Sequence, residues 1–512
     1  MKKISAILII CLVVCMGLAI FAGCETKFGP IGTTEYKDSP VINNGGLAIR
    51  QGNYLYYVNG MDSTSNITKP EHNAFGKASV KGSIMKSKIC EDGTLSETAV
   101  VVPKMFYTSA TGGGFYIYGE WIYYLSPNTK TDNKSNVLSS ESVVFRTKID
   151  GTKTQEMITL SSNSTQYTFT DKEFIYFEGN VLKKVTYTDT KVNTKSETIA
   201  EDVTSALFTA KTNVVFFLKN TDSKVRVNNN MYAYVGGEIK QLTTDTTYDV
   251  EGDASADNLK RQYTFALISY DPIENTLFYS KVINSSDASK ATSTYAYKFD
   301  ETFAFDKNKE VRYAITALSA STIRNIGGGK GILDYSAAQL KVYSPISETA
   351  NKNETKDGAT LSATGATIVT IEGDYMYYVI SNVLYRIEYM NKDAVVQKLS
   401  DDAINTSWLT LSVIDNYLYY IDNTYNYMYR VDLKAFVGDD NNFVLAKGEI
   451  VSGTRKATIE QVKDGDETKY KFTYVADDAN EEGVKYYQVP KFMTEDDLQK
   501  FAEANYEEEE DK

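Results

Sequence analysis

His72 is the only histidine in a chain of 512 residues, which narrows the available chemistry at once. A Ser-His-Asp triad needs an imidazole to carry the serine proton, and structural zinc sites draw on sets of His and Cys ligands. Either would have to be built on one residue of a long polar stretch. A carboxylate pair of the glycosidase kind needs only two acids that meet in space; with 67 Asp and Glu in the chain, such a pair stays open. Asp464-Gly465-Asp466-Glu467 lacks the spacing of a calcium loop and reads as a hairpin turn between Ile459–Lys463 and Tyr470–Val475. Gly327-Gly328-Gly329-Lys330-Gly331 lacks both the Walker spacing and the Ser or Thr after its lysine, so it reads as a turn ahead of an Ile332-Leu333 strand. Cys90 lies between Ile89 and Glu91-Asp92-Gly93 with no basic cluster beside it to activate the thiol. The expectation is a strand-end cysteine, no catalytic residue, no metal site and no cofactor.

The N-terminus says where such a protein works. Lys2 and Lys3 precede an apolar run from Ile4 to Phe21 that ends in Ala22-Gly23-Cys24, the layout of a secretory signal. With Phe21 in place of the usual Leu, the end of this run resembles the bacterial lipobox. That resemblance implies cleavage before Cys24 and a lipid on Cys24, which becomes the new N-terminus and holds the body on the extracytoplasmic face of the cell membrane. No later stretch is apolar for long enough to span a bilayer. Cys11 and Cys15 lie within the signal, so Cys90 is the one thiol left to the mature body and no internal disulfide is expected.

Charge excludes another class. The net charge is −13, and Glu495 to Lys512 alone sets nine acids against Lys500 and Lys512. The rest is mildly acidic, whereas phosphate recognition needs a basic face. No nucleic-acid partner is expected.

The elements that would position a binding site are written as a repeat. Gly52-Asn53-Tyr54-Leu55-Tyr56-Tyr57, Gly119-Glu120-Trp121-Ile122-Tyr123-Tyr124, Gly373-Asp374-Tyr375-Met376-Tyr377-Tyr378 and Asp415-Asn416-Tyr417-Leu418-Tyr419-Tyr420 share one phrase: a turn pair, then an aromatic and aliphatic strand. Strands of this kind centre on Tyr56, Tyr123, Tyr176, Phe216, Phe278, Leu333, Tyr377 and Tyr419, between 40 and 67 residues apart. That is the scale of a propeller blade. Each is expected to open its unit and to be followed by a second strand, as in Ile84–Ile89, Val143–Ile149 and Val383–Tyr389. A polar strand such as Lys240-Gln241-Leu242 or Lys398-Leu399-Ser400 then completes the blade.

The expected fold is all-β: one β-propeller of seven or eight four-stranded blades. Residues 1–23 are assigned to the signal peptide, 24–44 to a tether, 45–490 to the propeller and 491–512 to a short helix starting at Thr494 and an acidic tail. Either Gly46–Arg50 or one of the strands after Val444 is expected to pair across the first and last blades. Three long polar segments, Asn59–Ser83, Asp245–Arg261 and Ser344–Thr364, are expected to crowd one face as a binding rim, because function concentrates in loops on rigid scaffolds. The strand tyrosines are expected to pack.

Tyr419-Tyr420-Ile421-Asp422 and Tyr429-Arg430-Val431-Asp432 resemble the Tyr-Trp-Thr-Asp blade signature of low-density-lipoprotein-receptor propellers. Phe145-Arg146-Thr147 and Leu384-Tyr385-Arg386 fit the same pattern. Over Gly45 to Leu433 the rhythm is similar to clostridial-type lipoproteins that carry the bacterial propeller known as domain of unknown function 5050. The resemblance implies a propeller and an interaction role without chemistry. The function read from the sequence is therefore binding of an envelope protein or glycan; a glycan-acting hydrolase and a scaffold for envelope assembly are the alternatives.

Overall fold

The structure, a computed structural model, describes residues 34–61, 82–93, 95–102, 105, 114–127, 141–162, 165–209, 212–220, 229–243, 263–283, 293–314, 318–319, 321–327, 330–344, 355–399, 411–422, 428–434, 437–439, 442–445, 449–450, 456–464, 467–475 and 485–489. Eight antiparallel sheets follow one another along the chain as the blades of a propeller. Six take all their strands from one contiguous run, the seventh is extended by a later hairpin, and the eighth takes its outer strand from beyond that hairpin. Ala48–Gln51, Tyr54–Val58, Ile84–Ile89 and Leu95–Val102 make the first blade, with Val41–Ile42 added beside Ala48–Gln51. Tyr116–Tyr118, Trp121–Pro127, Ser142–Lys148 and Thr154–Leu160 make the second. The eighth is Ser412–Ile414, Tyr417–Ile421, Met428–Asp432 and Glu449–Ile450. Among the described residues the helical content is one short turn, Lys307–Lys309.

The aromatic segments expected to open each unit are its second strands. Another strand precedes each of them: Ala48–Gln51, Tyr116–Tyr118, Gln166–Phe169, Val203–Phe208, Tyr263–Asp271, Ile323–Asn325, Thr367–Glu372 and Ser412–Ile414. These first strands line the axis, where neighbours such as Ala48–Gln51 and Ser412–Ile414 touch. Several hold only three or four residues, too few to show an alternation of their own.

Among the described residues no strand is exchanged to close the ring. Ala48–Gln51 pairs with Tyr54–Val58 of its own blade, and the eighth blade's outer strand, Glu449–Ile450, comes from the chain that follows it. Between Met428–Asp432 and Glu449–Ile450 the chain detours: Val437–Asp439 and Asn442–Leu445 form a hairpin added in parallel to Gln397–Lys398 at the outer edge of the seventh blade. Lys456–Asp464, Glu467–Val475 and Lys485–Val489 form a separate three-stranded sheet. Its first hairpin pairs Asp464 with Glu467, the turn expected there. His72, Cys24, the segment from Thr494 and the acidic tail lie outside the described residues.

Because the strands of a blade alternate in direction, its connections divide between two faces. Those joining second to third strands, and one blade to the next, leave one face; those joining first to second and third to fourth strands leave the other. The first group holds the two longest connections, Val58 to Ile84 and Gln241 to Tyr263, together with Val102 to Tyr116 and Pro127 to Ser142. The second holds tight turns such as Gly52-Asn53, Gly119-Glu120, Gly373-Asp374 and Asp415-Asn416. We call these the loop face and the turn face. Asn59–Ser83 and Asp245–Arg261 leave the loop face as expected. Ser344–Thr364 does not: it joins third to fourth strands on the turn face, and its second half is itself a strand, Thr355–Thr360.

Candidate functional site

The repeated phrase builds the contacts between blades. Side chains alternate across a strand, so the two tyrosines of a doublet point to opposite neighbours. Tyr123 stacks on Tyr187 of the next blade with ring centres 4.8 Å apart, while Tyr124 joins the core shared with the first blade. Likewise Tyr419 packs with first-blade residues such as Leu95, and Tyr420 packs with Tyr377 of the seventh. All four rings are buried. The doublet tyrosines are thus structural, and none offers an open face for stacking a sugar.

Opposite the first tyrosine of each doublet, the third strand carries a cation: Lys86 faces Tyr56, Arg146 faces Tyr123, Arg386 faces Tyr377 and Arg430 faces Tyr419. Each leans diagonally over the aromatic residue two positions earlier. The charge lies 4.3 Å above Tyr54, 4.1 Å above Trp121, 4.6 Å above Tyr375 and 4.1 Å above Tyr417. Such a cation over a ring adds about 0.5–2 kcal/mol, more where water is excluded. Three of these cations also reach the next blade and donate to a backbone carbonyl near its third-to-fourth connection. Lys86 Nζ bonds Ile149 O at 3.0 Å, Arg146 Nη1 bonds Thr188 O at 2.6 Å and Arg430 Nη1 bonds Gly93 O at 3.1 Å. Arg146, Arg386 and Arg430 were visible in the repeated phrases. The inter-blade bonds of Arg146 and Arg430 were not, because the acceptors are carbonyls of turns that share no side-chain type.

Burial pushes the Tyr123 and Tyr419 hydroxyls up to about 12, against the pull of Arg146 and Arg430 beside them. Burial also lowers the Lys86 ammonium to about 8, with Asp150 opposing that shift.

Where the ring closes, the same clasp borders a cavity of about 310 Å³. Its wall is formed by Ile89–Gly93 from the first blade and by Asp415, Tyr417, Tyr419, Arg430, Asp432 and Lys434 from the eighth. Cys90 sits here, half-buried and not in a disulfide, at the end of Ile84–Ile89 as expected. Gly93 lies so close that a Cβ there would come within 2.9 Å of the Tyr417 hydroxyl. Arg50 adds an ion pair to Asp415, with Nη1 2.6 Å from both carboxylate oxygens. Tyr417, Tyr419 and Arg430 occupy the positions that Trp121, Tyr123 and Arg146 hold in the second blade, so these lining residues are accounted for by ring closure. Among the described residues no three His, Cys, Asp or Glu side chains gather as a metal site. The longest connections leave rigid strand ends at the loop face.

No family model and no curated protein sequence matches the chain. Solved propellers do match in fold. The β-propeller domain of the Trilobed protease from Pyrococcus furiosus is 7% identical with a TM-score of 0.33, over 75% of this chain and 90% of that one. AztD from Citrobacter koseri is 12% identical with a TM-score of 0.36, over 71% and 95%. Saccharomyces cerevisiae Sqt1 is 12% identical with a TM-score of 0.34, over 73% and 93%.

Proposed function

We propose that the protein is a lipid-anchored, extracytoplasmic β-propeller that binds an envelope protein or glycan on its loop face without transforming it. The observation that carries this reading is the division of the connections. The longest ones depart from one face, while the first-to-second connections of the other face include tight turns, held there by ion pairs and inter-blade bonds. Rigid strand ends that present long polar connections are how propellers and sandwiches build recognition surfaces. The lipobox-like Ala22-Gly23-Cys24 and the resemblance to clostridial-type propeller lipoproteins support the anchor and the envelope location.

Two measurements test the reading. Replacing Cys24 by Ser abolishes incorporation of a fatty-acid label; retained labelling overturns the anchor. Shortening the connections across 62–81 and 244–262 lowers capture of envelope polysaccharide or protein while the melting temperature stays unchanged. Capture that survives both deletions overturns the loop face as the binding surface.

A further inference from the structure

The N-terminal arm enters the propeller at the turn face. Tyr36 packs edge-on against Tyr54 at 5.6 Å, its hydroxyl accepts from Asn53 at 3.3 Å, and Gln51 Nε2 donates to Lys37 O at 3.2 Å. Asn53 belongs to the first-to-second turn, so the arm is fastened to that face. Val41 then pairs with Gln51, and the chain runs from there towards the loop face.

The exposed large apolar side chains point the same way. Among the described residues they are Ile42, Ile239, Ile273, Met390 and Val395. Ile273 tops the first-to-second turn of the fifth blade and is 82% exposed. Met390 and Val395 (65% exposed) lie in the third-to-fourth connection of the seventh blade. Ile239 follows the tight third-to-fourth turn of the fourth blade, and Ile42 pairs with Arg50, one residue in from the turn-face end of Ala48–Gln51. All five belong to the turn face. The described tips of the loop face, Gly179-Asn180, Glu201-Asp202, Ser362–Gly365 and Ser381-Asn382, are exposed and carry no large apolar side chain.

From these two observations we infer that the turn face lies against the lipid bilayer, with Ile273, Met390 and Val395 as its contact points, and that the loop face looks away from it. This inference rests on the lipid at Cys24. Between Cys24 and Thr34 there are ten residue steps (34 − 24), at most about 35 Å when extended. Reaching the bilayer from the opposite orientation would take the tether outward past three strand spacings of about 4.8 Å and then along a strand of about 17–20 Å. That path uses nearly the whole tether before any lipid is met. The turn face also carries both signs of charge, with Glu91, Asp92, Glu274 and Asp374 beside Lys172, Lys392 and Lys434. The contact is therefore apolar and does not require anionic lipid.

The test uses the full lipidated chain carrying Cys90→Ser, on phosphatidylcholine vesicles. A single environment-sensitive dye is placed at Lys392→Cys, which leaves the three apolar tips intact, or at Ala363→Cys on the loop face. The dye at 392 shifts to the blue when the protein floats with the vesicles, and the dye at 363 keeps its aqueous emission. Adding Ile273→Asp with Val395→Asp returns the dye at 392 to aqueous emission while flotation persists. Flotation with a blue shift at 363, or with no shift at 392, overturns the orientation and leaves the anchor standing. A blue shift at 392 without vesicles assigns the apolar tips to self-association and also overturns it. Loss of flotation in the unsubstituted chain overturns the anchor, and the orientation with it.

Discussion

The junction between the second and third blades and the junction that closes the ring are built from the same parts. At the first, Arg146 stacks on Trp121, faces Tyr123 and bonds the third blade through Thr188 O. At the second, Arg430 stacks on Tyr417, faces Tyr419 and bonds the first blade through Gly93 O. Their surroundings differ. Arg146 is fully buried and also donates to Gln155, whereas Arg430 borders the seam cavity. The seam adds one device of its own, the Arg50–Asp415 pair. Asp415 stands at the left-handed turn position (φ 55°) that Gly52, Gly119 and Gly373 fill elsewhere, a conformation Asp tolerates better than most residues. The comparison teaches that this ring closes by repeating an ordinary blade contact, with no strand shared between its ends among the described residues.

The largest test of that equivalence removes the packed ring. Tyr123→Ala and Tyr419→Ala should each cost about 3–5 kcal/mol, because both side chains are buried between blades. Denaturant midpoints that fall equally would sustain the comparison. A Tyr419→Ala protein that unfolds with Tyr123→Ala still stable would mark the seam as the weaker joint.

This much was legible in the sequence, and for a physical reason. Second strands are buried on both faces, so they must be aromatic and aliphatic throughout, and that composition repeats visibly. First strands such as Ser412–Ile414 are three residues long and leave no periodic trace. Ring closure was misread as strand exchange because the seam is held by Arg430, Gly93, Arg50 and Asp415, contacts more than 330 positions apart. The third loop was placed on the wrong face because it follows Gln339–Tyr343, one strand later in its blade than the strand that Asn59–Ser83 follows in the first, and successive connections alternate faces.

Alkaline pH sharpens the comparison at the level of single hydroxyls. Tyr123 and Tyr419 ionise near 10 when unfolded and at about 12 when folded. The folded state thus keeps protons that the unfolded state has lost. Stability contributed by each is complete below pH 10 and is lost as pH rises from 10 through 12, by about 2.7 kcal/mol for a two-unit shift. Tyr123→Phe and Tyr419→Phe should each flatten the fall in stability over that window, and by equal amounts if the junctions are equivalent. Unequal slopes, measured by denaturant titration at stepped pH, would break the parallel.

Removing the cations should separate the two sites. Arg146→Met removes a fully buried guanidinium and takes the donor from both Gln155 and Thr188 O, a loss of about 2 kcal/mol. Arg430→Met does the same to Gly93 O at the edge of a cavity, where water can replace the donor, and about 1 kcal/mol is expected. The order of the two losses, read from melting in low salt, is the informative quantity.

The smallest effect belongs to the feature unique to the seam. The Arg50 and Asp415 side chains are 29% and 39% exposed, so their attraction is screened and about 0.5 kcal/mol is expected from the pair. Asp415→Gly would remove the charge while restoring the glycine of the other turns, relieving the left-handed strain that Asp carries. The two changes oppose one another, and the net shift in stability should be near zero at low salt. At high salt the wild-type pair weakens, so Asp415→Gly should then be the more stable of the two. A double-mutant cycle with Arg50→Gln isolates the pair itself. A coupling well above 1 kcal/mol that survives high salt would show that the seam depends on this ion pair, and that closure is not simply one more blade contact.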